Sequence, residues 1–472
     1  MDGGGILNDG TAYIANSTIT GNTAVWGGGV CMRPLTAITT ITGAIIHANT
    51  ASNGCGGGIY TSGGALTVSQ STISANVAGS PDVGWAGGGI FANMSFTLTE
   101  SAVYGNQAGG AAGVTVQGDG LIVNSTISGN TSTLGTAGGI WNTACDTCTI
   151  TITNSTIADN TGIGLMNSRY ATLKNVILAN NSAGNCSGTM TSQGYNLDSG
   201  STCGFSSIGD LSNTSPMIGP LRDNGGPTMT HALLKGSPAI DAGDETGSPD
   251  TDQRGFKRPQ DGDKDGSALC DMGAYEALTK VTILTPNGAE VLPAGSQCRI
   301  GWGGPSKAAY FKASYSLDNG VTWNFITETA NAHHEWLVPT TTTNKRKSLI
   351  KITAFDASNN TLGSDKSDGP FTIEVLTITD INGGSCTGGQ SCPITWRMTD
   401  AITPDHLQIS YTFDGGITWK KEAAVAMPPE STYNWTAPNV KKYKTCKVKL
   451  TLKTAGTTVA KATSNRFTVN KP

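Results

Sequence analysis

Charged side chains are scarce in this chain. They make up 14% of its 472 residues and leave a net charge of −4, which gives no electrostatic case for a nucleic-acid partner or an anionic membrane surface. No apolar run is long enough to span a bilayer. Basic residues are scarcest at the front, where Arg33, Arg169 and Lys174 are the only ones in residues 1–181. The acids there are Asp2, Asp9, Asp82, Glu100, Asp119, Asp146 and Asp159, none adjacent to another. A polysaccharide lyase needs carboxylates to hold a cation and a base to take a proton. A glycoside hydrolase needs paired carboxylates on one face. Neither pattern is legible, so no catalytic residue is assigned. Cysteine is neither absent nor dense: eleven thiols are too many for a typical cytosolic protein and too few for a disulfide scaffold. That usage points to an extracellular or cell-surface location.

Glycine, by contrast, is abundant at 63 residues, and it falls in register. A seven-residue phrase closing on asparagine appears at 16–22 (NSTITGN), 43–49 (GAIIHAN), 70–76 (QSTISAN), 100–106 (ESAVYGN), 124–130 (NSTISGN), 154–160 (NSTIADN) and 175–181 (NVILANN). The closing residues Asn22, Asn49, Asn76, Asn106, Asn130, Asn160 and Asn181 are 21 to 30 residues apart, the size of one supersecondary repeat. The fourth position is Ile19, Ile46, Ile73, Val103, Ile127, Ile157 and Leu178, and the second is usually small. Alternate strand residues share a face, so stacked copies would build an aliphatic ladder inside a narrow coil. The closing Asn can bond its counterpart in the next coil, and it tolerates the left-handed turn conformation. Gly-Gly-Gly phrases at 3–5, 27–29, 56–58 and 87–89, with Gly138-Gly139, mark corners before a second short strand.

The expected fold is all-β: a right-handed parallel β-helix over 1–181, about 35 Å long at about 4.8 Å per coil. Met1 leads straight into the first glycine corner, so the chain reads as cut within, or at the edge of, a longer solenoid, with any export signal upstream or removed. Residues 182–278 break the period and form a closing region. Residues 279–376 and 377–472 are a duplication: Cys298 to Trp302 matches Cys392 to Trp396, Tyr315 to Trp323 matches Tyr411 to Trp419, and Trp336 matches Trp435. Their alternating strands and turns predict two β-sandwiches with Trp302 and Trp396 in the cores.

The glycine and asparagine phrases resemble those of polymorphic outer-membrane proteins and related bacterial surface β-helices, which implies a display architecture. Residues 182–278 resemble the tail that follows such solenoids in secreted bacterial proteins with a choice-of-anchor region. The resemblance is carried by Asp223-Asn-Gly-Gly-Pro-Thr228, Gly236-Ser-Pro-Ala-Ile-Asp-Ala-Gly243, Asp252-Gln-Arg-Gly255, Arg258-Pro-Gln-Asp261 and Cys270-Asp-Met-Gly-Ala-Tyr-Glu276. It implies closure of the β-helix ahead of a surface-attachment device. The sandwiches are similar to Ig-like or fibronectin-III-like modules of secreted bacterial proteins opening on Thr285-Pro-Asn-Gly288, which serve as spacers or as glycan- and protein-contacting appendages.

Other constellations each have a plain alternative. Asp261, Asp263 and Asp265 open a D-x-D-x-D-G loop suited to a structural calcium ion; position 272 is Met where the bidentate Glu is expected, and a solvated acidic turn fits equally. Ser316 to Trp323 resembles the Asp box of sialidases, a hairpin turn remote from their active site. His333-His334-Glu335 lacks a third metal ligand and reads as a solvated loop. Candidate disulfides are Cys145–Cys148 within a coil loop, Cys186–Cys203 in the closing region, and Cys392–Cys446 between the sheets of the last domain. Trp26, Trp85, Trp141, Tyr60 and Tyr104 could line a face for sugar or protein contact, though their offsets favour interior or loop packing.

The expectation is a non-catalytic surface-display, adhesion or assembly protein. Its partner would be an extracellular glycan or protein surface, or further copies in a fibre. The alternative is a carbohydrate-active enzyme, lyase or hydrolase, with accessory sandwiches.

Overall fold

The computed structural model describes residues 2–79, 87–143, 147–381, 384–427, 431–442 and 444–472. These form strands and turns, with no α-helix among them. The first part is a parallel β-solenoid. A representative coil runs through Val30–Met32, Ile38–Thr42, Ile45–His47 and Thr50–Ala51. Stacking yields three parallel sheets of eight, eight and nine strands, with five two-residue rungs as a fourth. Two strands per repeat are predicted, and the structure adds the one before the asparagine phrase. In that strand Thr39 and Ile41 point inward and are fully buried, but the stretch varies too much between repeats for its alternation to be read.

The ladder positions lie rung over rung. Ile19 pairs with Ile46, then Ile73, Val103, Ile127, Ile157 and Leu178 follow in unbroken register. Branched aliphatic side chains on successive strands thus fill one continuous core. Beside it runs an amide ladder from Asn22 to Asn181, each Nδ2 donating to the next Oδ1 at 2.9 to 3.0 Å. The same Nδ2 also donates to a carbonyl of the preceding coil, as Asn49 does to Ile19 O at 2.9 Å. The closing Asn is not the left-handed residue. Positive φ falls on the first and sixth positions of the phrase, as at Gln70 (48°) and Ala75 (53°). The seventh position therefore needs asparagine for its amide and not for its backbone.

That amide also explains the third glycine of each corner. A Cβ on Gly29 would sit 3.1 Å from Asn49 Nδ2, 3.1 Å from Ile46 Cγ2 and 2.6 Å from Gly58 O. Any side chain there would push the corner off the ladder.

Past Asn181 the ladder continues through Asn185 to Asp198, and Leu197–Asp198 and Leu211–Ser212 add the last two strands of the third sheet. A Cys186–Cys203 disulfide, Cα atoms 4.7 Å apart, staples this end. From about residue 214 the chain turns back and lies along the flank of the third sheet, as detailed below.

Two sandwiches follow, each a three-stranded sheet facing a six-stranded one. Their strands run from Thr282 to Glu374 and from Leu376 to Asn470. Trp302 and Trp396 are buried in the cores. The expected Cys392–Cys446 bridge is not formed. Cys392 pairs with Cys386, Cα atoms 5.8 Å apart, and Cys446 is a buried free thiol. Cys392 is already bonded to Cys386, which leaves Cys446 no partner. Cys386 and Cys392 instead flank the tight turn by which the chain crosses from one sheet to the other. Cys145, of the proposed pair with Cys148, and Trp85 lie outside the described residues.

Candidate functional site

The flank segment is where the chain's polar chemistry is concentrated. It grips successive coils one residue at a time. Thr228 Oγ1 donates to Glu100 O at 3.1 Å, Thr126 Oγ1 to Gln253 Oε1 at 2.6 Å, and Ala274 N to Thr156 Oγ1 at 3.1 Å. Gly273, φ 87°, lies so close to the coil that a Cβ would meet Ile177 Cδ1 at 2.7 Å. The gripping residues belong to the phrases Asp223 to Thr228, Asp252 to Gly255 and Cys270 to Glu276, so those phrases are docking surfaces.

One grip brings a serine, a histidine and an aspartate together. Ser128 Oγ is 2.8 Å from His231 Nε2, and Asp159 Oδ2 is 3.8 Å from the same nitrogen. His231 Nδ1 lies 2.7 Å from Gly219 O and must donate to it, so in the neutral ring Nε2 accepts the Ser128 hydroxyl. Burial also pushes the imidazole below its ordinary value. The aspartate is on the wrong nitrogen for a triad, and Ser128 and His231 are 1% and 2% exposed. The group is a clamp between flank and coil. Sequence alone offered no signal for it, because its members are 103 residues apart.

Beneath the flank lies a buried ionic network. Arg254 pairs with Asp252, and Arg258 with Glu276, both at 2.6 Å and with all four side chains at most 1% exposed. Arg254 is stacked over Tyr275, its guanidinium carbon 3.5 Å from the ring centroid. Asp271, fully buried, accepts from Asp241 N and Ala277 N. Three carboxylates face two guanidiniums, so one acid lacks a cation. Burial, then the Glu276 charge, push Asp271 well above the ordinary carboxylate range. Burial raises Glu276 to about 7. Burial and mutual repulsion therefore both work against Asp271 and Glu276 being ionised together.

At the rim, Asp241, Asp261 and Asp263 bring carboxylate oxygens within 4.8 Å of one another. Two of the three predicted loop acids thus converge. The third, Asp265, accepts from Ser267 N instead, and Asp241 takes its place from a separate turn. Asp241 also accepts from Gly262 N at 3.0 Å and Asp263 N at 3.1 Å, and burial raises its pKa. An oxygen-only donor set suits a hard cation.

The Asp223 phrase docks the first sandwich. Arg299 reaches Asp223 and donates to Gly226 O at 3.1 Å, while His333 Nδ1 lies 3.0 Å from Asp223 Oδ2. A Cβ on Gly225 would strike Trp302 O at 2.3 Å. His333, His334 and Glu335 are therefore not a solvated loop; they lie on the strand His333–Leu337. The Asp-box segment is a self-bonded turn, with Asp318 held down to about 2 by the Thr322 hydroxyl and amide. On the solenoid, Trp26, Tyr60 and Phe91 form one cluster with centroids 5.0 and 5.4 Å apart. Trp141 and Tyr104 are not part of it.

No protein-family model and no curated protein matches the chain. Solved structures that resemble part of it include fibronectin(III)-like modules of Clostridium thermocellum CbhA, at 15% identity, 40% of this chain, 93% of that chain and a TM-score of 0.15. Chicken CNTN1 FN1-FN3 matches at 13% identity, 41% of this chain, 65% of that one and 0.18, and titin A168-A170 at 12%, 44%, 73% and 0.16. At these scores the likenesses carry no argument about function, and the sandwich assignment rests on sheet topology.

Proposed function

We propose that this chain is a non-catalytic extracellular display or adhesion protein, in which a β-solenoid is presented by two sandwiches. The observation that carries this reading is the use made of its buried charged and polar groups. Asp252, Arg254, Arg258, Asp271, Glu276 and His231 are the residue types an active site would employ, and each is sealed in a contact joining flank to coil or flank to itself. The second sheet instead turns a row of short uncharged side chains outward, with Thr40, Thr67 and Thr97 in register, a surface suited to broad contact. A glycan and matrix-protein array paired with a reducing-end assay on the same polysaccharides tests the reading. Binding without new reducing ends is expected; cleavage would replace it with the carbohydrate-active reading.

Within the same reading, Asp241, Asp261 and Asp263 hold a structural calcium ion that fixes the rim of the flank. Saturating calcium is then expected to raise the thermal midpoint by a few degrees, and Asp241→Asn to abolish the response. An unchanged midpoint in the parent chain would contradict it.

A further inference from the structure

The positive charge of the chain is gathered in one place. Residues 377–472 carry twelve Lys and Arg against six Asp and Glu, whereas residues 1–278 carry nine against twenty. In the last sandwich the strand Lys444–Thr454 alternates apolar and polar residues from Cys446 to Lys453. Cys446, Val448, Leu450 and Leu452 are at most 1% exposed, so Lys447, Lys449 and Lys453 stand on the outer face of the six-stranded sheet. Register then widens the row. Lys449 lies opposite Ser410, itself opposite Lys421, and Lys461 lies opposite Thr451. With strands about 4.8 Å apart and alternate residues about 6.7 Å apart, these ammonium groups recur at roughly 7–10 Å.

The first sandwich repeats the device. Lys351 stands directly opposite Lys366, a like-charge pair that disfavours the sheet by itself. The ion pairs of the sandwiches are made elsewhere, as by Lys312 with Glu328 and Arg397 with Glu374. Among the described residues no carboxylate neutralises Lys351, Lys366, Lys421, Lys447, Lys449 or Lys461. In both domains the same lysine lies over a tryptophan: Lys351 Nζ is 4.5 Å from the Trp323 centroid, and Lys449 Nζ 4.3 Å from that of Trp419.

We propose that these two faces bind an acidic polysaccharide. This names the partner of the sandwiches within the display reading and rests on it. Charge complementarity requires an anion, and a flat row of ammonium groups fits an extended polymer with a charge on each unit better than a compact ligand. Binders of single-stranded nucleic acid stack bases on open rings, but Trp323 and Trp419 are already covered by lysine. A second copy of the chain is a poorer match: Asp252, Asp271 and Glu276 are fully buried, and the surface acids Asp261, Asp263 and Asp265 sit on one short turn, not in an extended row.

The test uses the full chain with polygalacturonate, neutral dextran and double-stranded DNA at low salt. Polygalacturonate is expected to bind, dextran not to bind, and affinity to fall steeply as salt rises. The variant Lys421→Gln/Lys447→Gln/Lys449→Gln/Lys461→Gln is expected to weaken binding about tenfold or more. Lys351→Gln/Lys366→Gln, on the other domain, is expected to weaken it independently, which covers a folding defect in the first variant. Absence of polygalacturonate binding, binding by both variants as tight as the parent's, tighter binding to DNA, or salt-sensitive self-association in place of polymer binding would each overturn the proposal. New reducing ends with binding intact would instead overturn the display reading and leave this one standing.

Discussion

Asn106→Leu is expected to destabilise the solenoid by about 3–5 kcal/mol. Asn106 is fully buried. Its Oδ1 accepts from both the backbone N and the Nδ2 of Asn76, each at 2.9 Å, and its Nδ2 donates to Ile73 O and Asn130 Oδ1. Leucine has similar bulk but answers none of these groups. Two donors on Asn76 would be left dry, at roughly 1–3 kcal/mol apiece. The outward Tyr13, 78% exposed, is the control: its alanine variant is expected to change stability by about 0.5 kcal/mol or less. Urea unfolding followed by circular dichroism measures both. Equal effects at the two positions would mean that the amide ladder is not what holds the coils together.

Arg258→Met is expected to cost about 3–5 kcal/mol at pH 8 because it strands a buried carboxylate. Glu276 has no other cation at ion-pair distance among the described residues. The loss should shrink on acidification. Glu276 has a folded pKa raised from 4.5 to about 7, so the native state binds more protons than the unfolded state between those values. Stability from this group is therefore full below about 4.5 and is lost as pH rises through about 7, on the order of 3 kcal/mol in all. Without Arg258 the carboxyl takes its proton at still higher pH, so the variant approaches the parent as pH falls toward 5. His231, whose pKa is lowered, works in the opposite sense in the parent and in the variant alike, and it cancels in the difference. A pH-independent difference would place Glu276 outside the network.

The solenoid was legible because its rule is local and repeated. Ile19 and Asn22 recur at the spacing of one coil, and stacking like on like lets each copy satisfy the next. The duplicated sandwiches were legible for the same reason, with Trp302 and Trp396 set in matching strands. What was hidden depends on pairs that no period links. Alternation places Cys392 and Cys446 inward but cannot say that the crossover turn brings Cys386 nearer. Asp261 and Asp263 announce an acidic loop, whereas Asp241 joins them from a turn 20 residues upstream with no spacing rule to point to it. The phrases at Asp223, Asp252, Arg258 and Glu276 stood out as motifs. Their roles, to grip coils and dock a sandwich, follow only once the chain is seen to double back along the flank.

The most direct test of the whole account is product formation. The full chain, incubated for long times with the acidic and neutral polysaccharides it retains, is expected to yield no new reducing ends and no unsaturated sugars from pH 5 to 8, because its buried acids, arginines and histidine are committed to holding segments together. Release of oligosaccharides that disappears in an Arg258 or Glu276 variant that remains folded would contradict it.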